Sequence, residues 1–358
     1  MPTALAPWQP PRRQLNPPQE AINGHIGVDL GDGKQLVSMR MAICQALFEE
    51  MTANEKIFIM GEEVAEYNGA YKVTKGLLEI FGAKRVVDTP ITESGFTGVA
   101  IGAAMTGLRP VIEYMSWNFS LCAFDQIISN ASKMSYMTAG MFSVPLVMRG
   151  PNGAGPRVSS QHSHAVEAIY AAFPGLIVVS PSTPYDAKGL MKTALRQNSP
   201  VCFLENELLY NLQQEIPTGE YLVPFGKADI KRQGRDCTIV AINRCVVWAL
   251  EAAEALAKEG IDCEVLDPRT IKPLDIAAIT ESVRKTSRCV VVEECYRTGG
   301  VGAEISAQLM ETCFDDLDAP VERVTTTENP MPYAANLENE TLPKPHRIIA
   351  AVKKACYR

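Results

Sequence analysis

From Ser38 onward, short apolar runs alternate with segments of helical spacing, and no other feature of the chain restricts its fold so strongly. Helical spacing covers Met39 to Met51, and Ile57-Phe58-Ile59-Met60 then reads as a buried strand. The strand signal returns at Val111 to Tyr114, Val144 to Met148, Leu176 to Val179 and Val201 to Leu204. Runs this short and this apolar leave no polar face, so each strand must be covered on both sides. That is the pattern of a parallel sheet between helices. Ile216 to Gly226, with its prolines and glycines, marks a linker. A second alternation follows, with strands at Cys237 to Ala241, Cys263 to Leu266 and Cys289 to Val292. Its helices span Val246 to Lys258, Asp275 to Arg284 and Val301 to Thr312. The expected architecture is α/β with two domains, each a mostly parallel sheet flanked by helices. A proline-rich arm covers 1–35, a first domain 36–215, the linker 216–226 and a second domain 227–358. The 358 residues suit two domains of roughly 150 each.

Composition removes several classes of function. The net charge is −7, from 34 basic and 41 acidic residues, and no basic run offers a nucleic-acid or membrane surface. No apolar stretch approaches the roughly 20 residues that span a bilayer. None of the ten cysteines forms a Cys-x-x-Cys pair, so neither a zinc site nor a disulfide framework is indicated. Reduced, buried thiols in a cytosolic compartment are the simplest reading. The first residues carry Pro2, Pro7, Pro10, Pro11, Pro17 and Pro18. They are too proline-rich for an amphipathic transit helix and lack a signal peptide's apolar core. An extended arm is expected, disordered or laid against a partner subunit. The chain reads as a bacterial cytoplasmic protein, with a mitochondrial or plastid origin as the alternative.

One junction combines strand, helix and charge. Val86-Val87-Asp88 leads through Thr89-Pro90-Ile91-Thr92 to Glu93, and the helix beyond it, Thr97 to Gly107, is almost wholly small or apolar. Such a helix is expected to pack closely on all sides, which leaves Glu93 poorly solvated and in need of a partner. Lys84 and Arg85 lie at the far end of the strand. An acid in the first turn also suits the helix dipole, so a capping role stands beside a functional one.

The ordered segments Gly61-Glu62-Glu63-Val64-Ala65, Tyr67 to Val73, Asp88 to Glu93, Arg149 to Ala154, Gln161-His162-Ser163 and Leu204 to Tyr210 span most of the chain. Through them residues 36–358 resemble the β chains of the two-chain, thiamine-diphosphate-dependent 2-oxo acid dehydrogenases, and most closely the pyruvate type. The resemblance implies a transketolase-like pyrimidine-binding domain followed by a transketolase C-terminal domain. It places Glu93 against the cofactor's aminopyrimidine N1′, where a carboxyl favours the imino form whose 4′-nitrogen removes the thiazolium C2 proton. Positioned acid–base groups contribute about 10²–10⁴ in rate. It also implies Phe119 against the pyrimidine ring, Ile91 lining the cofactor, and Glu62 in a channel between paired sites. For Glu62 a merely solvated acid remains the alternative. His162 corresponds to the histidine that assists acyl transfer to a lipoyl group, and imidazole is the side chain that titrates near neutrality. Without the resemblance it would read as a capping or surface residue. His164 has no counterpart and reads as structural.

The diphosphate- and magnesium-binding motif of thiamine enzymes is missing: Gly31-Asp32-Gly33 has no buried strand before it and no Asn-Asn after it. The family supplies that half, with its magnesium, from an α subunit in an α2β2 assembly docked on a lipoyl acyltransferase core. It also carries potassium on main-chain oxygens at positions matching Leu146, Ala194, Leu195, Gln197 and Ser199. Gln197 and Ser199 depart from the usual Asp and Asn, and Ser94 and Arg157 also differ from the common pattern. The expected reaction is decarboxylation of pyruvate with reductive acetylation of lipoyl. A branched-chain 2-oxo acid or acetoin dehydrogenase β chain is the near alternative, and a non-catalytic scaffolding subunit the distant one.

Overall fold

The structure is a computed structural model that describes residues 27–358. The prolines of the expected arm, Pro2 to Pro18, lie outside the described residues.

Strand β1 (Val28–Gly31) turns through Asp32 and Gly33 into β2 (Lys34–Ser38). Gly31, Asp32 and Gly33 all have positive φ, a tight reversal that glycine adopts without strain. Gly31-Asp32-Gly33, which lacks the flanks of a phosphate motif, is a hairpin turn, and residues 28–35 belong to a β-hairpin, not to an extended arm.

Helix α1 (Met39–Ala53) starts at Ser38, whose hydroxyl accepts from the Met41 N–H. Strands β3 (Ile57–Gly61), β4 (Val86–Asp88), β5 (Arg109–Glu113), β6 (Val147–Pro151), β7 (Ile177–Val179) and β8 (Val201–Glu205) follow in turn. They form one parallel set in the order β7-β8-β6-β5-β3-β4. β6 starts later than its sequence predicts, because Pro145 has no N–H and the Leu146 N–H turns back to the Val144 carbonyl. Between strands run helices α2 (Glu93–Met105) and α3 (Pro184–Leu195). Strand β9 (Gln213–Pro217) takes in the first residues of the expected linker and pairs antiparallel with β2.

The second sheet holds β10 (Asp229–Arg232), β11 (Cys237–Ala241) and β12 (Cys263–Asp267). Strand β13 (Thr270–Lys272) leaves it and pairs antiparallel with β7, at the edge of the first sheet. β14 (Cys289–Tyr296) and β15 (Glu322–Thr326) complete the second sheet in the order β10-β12-β11-β14-β15. Its inner strands are parallel and β10 is antiparallel. Helices α4 (Cys245–Lys258), α5 (Ile276–Thr286), α6 (Val301–Cys313) and α7 (Pro345–Ala355) cover it. One apolar cluster runs from Phe96, Tyr114 and Trp117 to Val240, Leu266 and Val291, so the two sheets share core, and β13 adds a strand from the second half of the chain to the first sheet. Among the described residues no helix is long and apolar enough to cross a membrane.

Candidate active site

The loops after β3 and β5 leave in opposite directions, because β3 leads to β4 and β5 leads to β6 on the other side. In a parallel sheet that reversal opens a crevice beyond the carboxyl ends of the strands, where ligands bind. Two glycines bring the strands together there. A Cβ on Gly61 would lie 2.6 Å from the Glu113 carbonyl, and one on Gly150 would lie 2.3 Å from the Tyr114 carbonyl.

Glu62 and Glu93 occupy one side of this crevice. Asp88, the last residue of β4, accepts from the N–H groups of Ala65 (2.7 Å) and Glu66 (3.0 Å), which fixes the turn behind Glu62. Glu93 opens α2, whose buried face is Glu93, Phe96, Thr97, Ala100, Ile101 and Ala104. That spacing is one helical stripe. Glu62 is 8% exposed and Glu93 9%. The Glu62 Oε1 is buried with no hydrogen-bond partner among the described residues. Burial, and then the Glu93 carboxylate beside it, hold the Glu62 carboxyl above the ordinary range. Arg85 cannot relieve this pair, since its guanidinium donates to the carbonyls of Met51, Asn54 and Ile57.

The expectation that α2 packs on all sides is corrected. Ser94, Gly95, Val99 and Gly102 are exposed, with Val99 62% accessible, and Ile91 just before the helix is 82% accessible. One stripe of the helix is used within the chain and the other is left open.

Phe119 and His162 face each other on the opposite side, ring centroids 5.3 Å apart and inclined at 65°. Both line a cavity of about 180 Å³ with Tyr71, Met115, Pro151 and Glu207. Asn118 ties the two walls together. Its Oδ1 accepts from the His164 N–H at 3.0 Å and from the His164 ring Nδ1 at 2.6 Å. An amide oxygen only accepts, so Nδ1 carries the ring proton. Burial, and then His162, push the His164 imidazole below its ordinary value, which agrees with a neutral ring. The histidine read as structural is thus the clamp that holds the His162 loop against the Phe119 turn.

Residues of both sheets brace that loop. Arg149 is fully buried and paired with Glu113 and Glu205, and the Tyr210 hydroxyl donates to Glu205 at 2.7 Å. These side chains join β5, β6 and β8 just beneath the cavity. Asn152 Oδ1 accepts from the Val166 N–H at 2.9 Å. From the second sheet, Glu294 of β14 accepts from the Ala154 N–H (2.9 Å) and forms an ion pair with Arg244 (2.5 Å). Arg244 Nη1 donates to the Ala154 carbonyl at 3.2 Å.

Sequence reading missed Tyr71 and Glu207 as cavity residues. Glu207 hydrogen-bonds Tyr71, and burial raises its carboxyl above the ordinary range. Both stand in segments that carried the resemblance, and an acid just beyond the end of β8 was the available signal.

The residues present suit the pyrimidine half of thiamine diphosphate: paired buried carboxyls with one oxygen unpartnered, and an aromatic ring at Phe119 in the turn that packs on α2. Among the described residues no group of three or more His, Cys, Asp or Glu side chains is placed to hold a metal. The positions matched to potassium do not form an open cage. The Leu195 carbonyl accepts from Arg109 Nε at 3.0 Å and the Gln197 carbonyl from Arg109 Nη2. The Leu146 carbonyl accepts from the Val201 N–H, and Ala194 from the Gln197 N–H. Two of these carbonyls already accept from Arg109, and no role is derived for potassium.

A family model for the transketolase pyrimidine-binding domain matches residues 35–213, and one for the transketolase C-terminal domain matches 226–348. The chain is 53% identical over 330 residues to pyruvate dehydrogenase E1 component subunit beta-1, mitochondrial, of Arabidopsis thaliana, covering 91% of each. It is 53% identical over 321 residues to the corresponding beta subunit of Rickettsia felis, covering 90% of this chain and 98% of that one. For the Rhizobium meliloti subunit the figures are 51% over 332 residues, 92% of this chain and 72% of that one. A solved split-gene transketolase, an inactive beta4 tetramer, superposes with a TM-score of 0.73 over 90% of this chain and 98% of its own. At 24% identity it shows the fold alone.

Proposed function

This chain belongs to the family of pyruvate dehydrogenase E1 component β subunits, and on that premise we propose that it forms the pyrimidine side of a thiamine-diphosphate site shared with an α subunit. The reaction is oxidative decarboxylation of pyruvate with reductive acetylation of a lipoyl group. The observation that carries this reading is the Glu62–Glu93 pair at the crevice, with Glu62 Oε1 buried and unpartnered.

When bound, the cofactor supplies a carbon nucleophile for the 2-oxo carbonyl and accepts the electron pair that decarboxylation leaves. Everything else falls to the side chains. Glu93 holds a proton against the ring nitrogen of the aminopyrimidine. Phe119 presents an aromatic face that fixes the ring's plane, an interaction worth about 0.5–1.5 kcal/mol. His162, held by the His164–Asn118 clamp, exchanges a proton with the lipoyl sulfur as the acetyl group is handed over. Ile91 and Glu62 complete the wall.

The diphosphate and its magnesium would be held by the α subunit. The open stripe of α2 supports such a partner, together with the exposed Leu121, Tyr136, Met137, Met141 and Phe142 of the segments that follow. Exposed large apolar side chains gathered in one region of the chain are what an interaction site offers. The assembly would be α2β2, docked on a lipoyl acyltransferase core, in the compartments its relatives occupy, bacterial or mitochondrial.

Co-expression with an α chain, followed by assay of 2-oxo acids with thiamine diphosphate and magnesium, tests this. Pyruvate should give the highest kcat/KM. A preference for branched substrates would move the assignment to the branched-chain enzyme, and an assembled but inactive complex would refute the catalytic reading.

A further inference from the structure

Three cysteines that the reaction does not use meet at the far end of the second sheet. Cys237 opens β11 and Cys263 opens β12, and the two are register partners across the parallel pair. Both are fully buried. Cys356 caps the end of α7 and is half-buried, with its Sγ 4.0 Å from the carbonyl of Asp236, the residue before Cys237. The Cys356 sulfur therefore lies at the start of β11, beside Cys237, and the two thiols influence one another's ionisation. Cys356 is half-buried and Cys237 fully buried.

The surroundings favour a thiolate at the accessible position. The neighbouring Cys237 thiol draws the Cys356 thiol down to about 7, against the cost of burial and the nearby Asp236 carboxylate. Arg288 and Arg358 act in the same direction. Low-pKa, partly exposed cysteines beside a second thiol are the ones that oxidise selectively.

We propose that Cys356 and Cys237 form an oxidisable dithiol that closes to an intramolecular disulfide on exposure to a hydroperoxide. The Cys356 thiolate attacks one peroxide oxygen, the O–O bond breaks, and Cys356 becomes a sulfenic acid as the first water leaves. The Cys237 sulfur then attacks the Cys356 sulfur, the S–O bond breaks, and the second water leaves. Two thiols lose two electrons and two protons in all, and hydrogen peroxide is reduced to two waters. The bond would fasten α7 to the start of β11.

The test uses the assembled complex treated with hydrogen peroxide near pH 7.5, blocked with iodoacetamide and digested without reductant. A dithiothreitol-sensitive peptide pair joining Cys237 to Cys356 is expected, lost in Cys356→Ser. Cys237→Ala should leave a dimedone-reactive sulfenic acid at Cys356 and raise the pH midpoint of Cys356 alkylation above about 7. The exposed Cys122 serves as comparison thiol within the same chain. Oxidation confined to Cys122, or Cys237 and Cys356 both recovered alkylated, would overturn the proposal. So would an alkylation midpoint unmoved by Cys237→Ala.

Discussion

Glu93 is the residue on which the functional reading turns, because it can be separated from its rival explanation. Glu93→Gln keeps the size and part of the hydrogen bonding but removes the ionisable carboxyl. In the reconstituted complex, turnover should fall by about 10²–10⁴, as for loss of a positioned acid–base group. The fold should survive, since an amide in that niche has no charge to desolvate. A residue that only complemented the helix dipole would give the opposite result, a loss of about 0.3–1 kcal/mol in stability with turnover retained. Thermal midpoint and turnover measured on one sample distinguish them. His162 calls for a different measurement. His162→Ala should impair the complete lipoyl-dependent reaction more than decarboxylation followed with an artificial electron acceptor. Equal losses in the two assays would remove its specific role in acyl transfer.

At the scale of elements, the start of α6 carries a pH-sensitive contact. Glu293 of β14 accepts from the N–H groups of Val301 (2.9 Å) and Gly302 (2.8 Å). Burial raises its carboxyl to about 7, only partly offset by those donors. A folded-state value above the unfolded one means the stabilising contribution is full below about 4.5 and is lost as pH rises through about 7. Glu293→Gln should therefore flatten the fall in thermal midpoint between about pH 4.5 and about pH 7, readable by calorimetry. An unchanged slope would show that the carboxyl is not the group responsible. The open stripe of α2 makes a second element-scale prediction. Val99→Lys should leave the chain folded, since the side chain is exposed, yet weaken assembly with an α subunit in size-exclusion chromatography.

For the whole molecule the question is whether one chain suffices. The crevice provides carboxyls, an aromatic face and a histidine, but no cluster of metal ligands among the described residues. The purified chain alone should bind thiamine diphosphate weakly and show no pyruvate decarboxylation, with activity appearing when the α subunit is added. Turnover by the isolated chain would sink the shared-site reading. The two sheets should also melt together, because β13 crosses to the first sheet, and Glu294 and Arg244 hold the loop that carries His162.

Hydrophobic patterning by itself determined the strands and helices and hence a parallel α/β architecture, because an apolar run with no polar face has few places to go. The motif segments likewise singled out Glu93 and His162 as candidates, because a short stretch of sequence displays such side chains directly. What only the tertiary structure decided was pairing at a distance. Asn118 clamps His164 although 46 positions separate them, and Glu294 reaches Ala154 across 140. Arg109 takes the carbonyls of Leu195 and Gln197, on a different strand–helix unit. Even α2, mostly small and apolar beyond its first turn, shows which stripe is core only once Tyr114 has packed on Phe96 and Thr97. Periodicity records the environment each residue needs, whereas the fold chooses which neighbour supplies it.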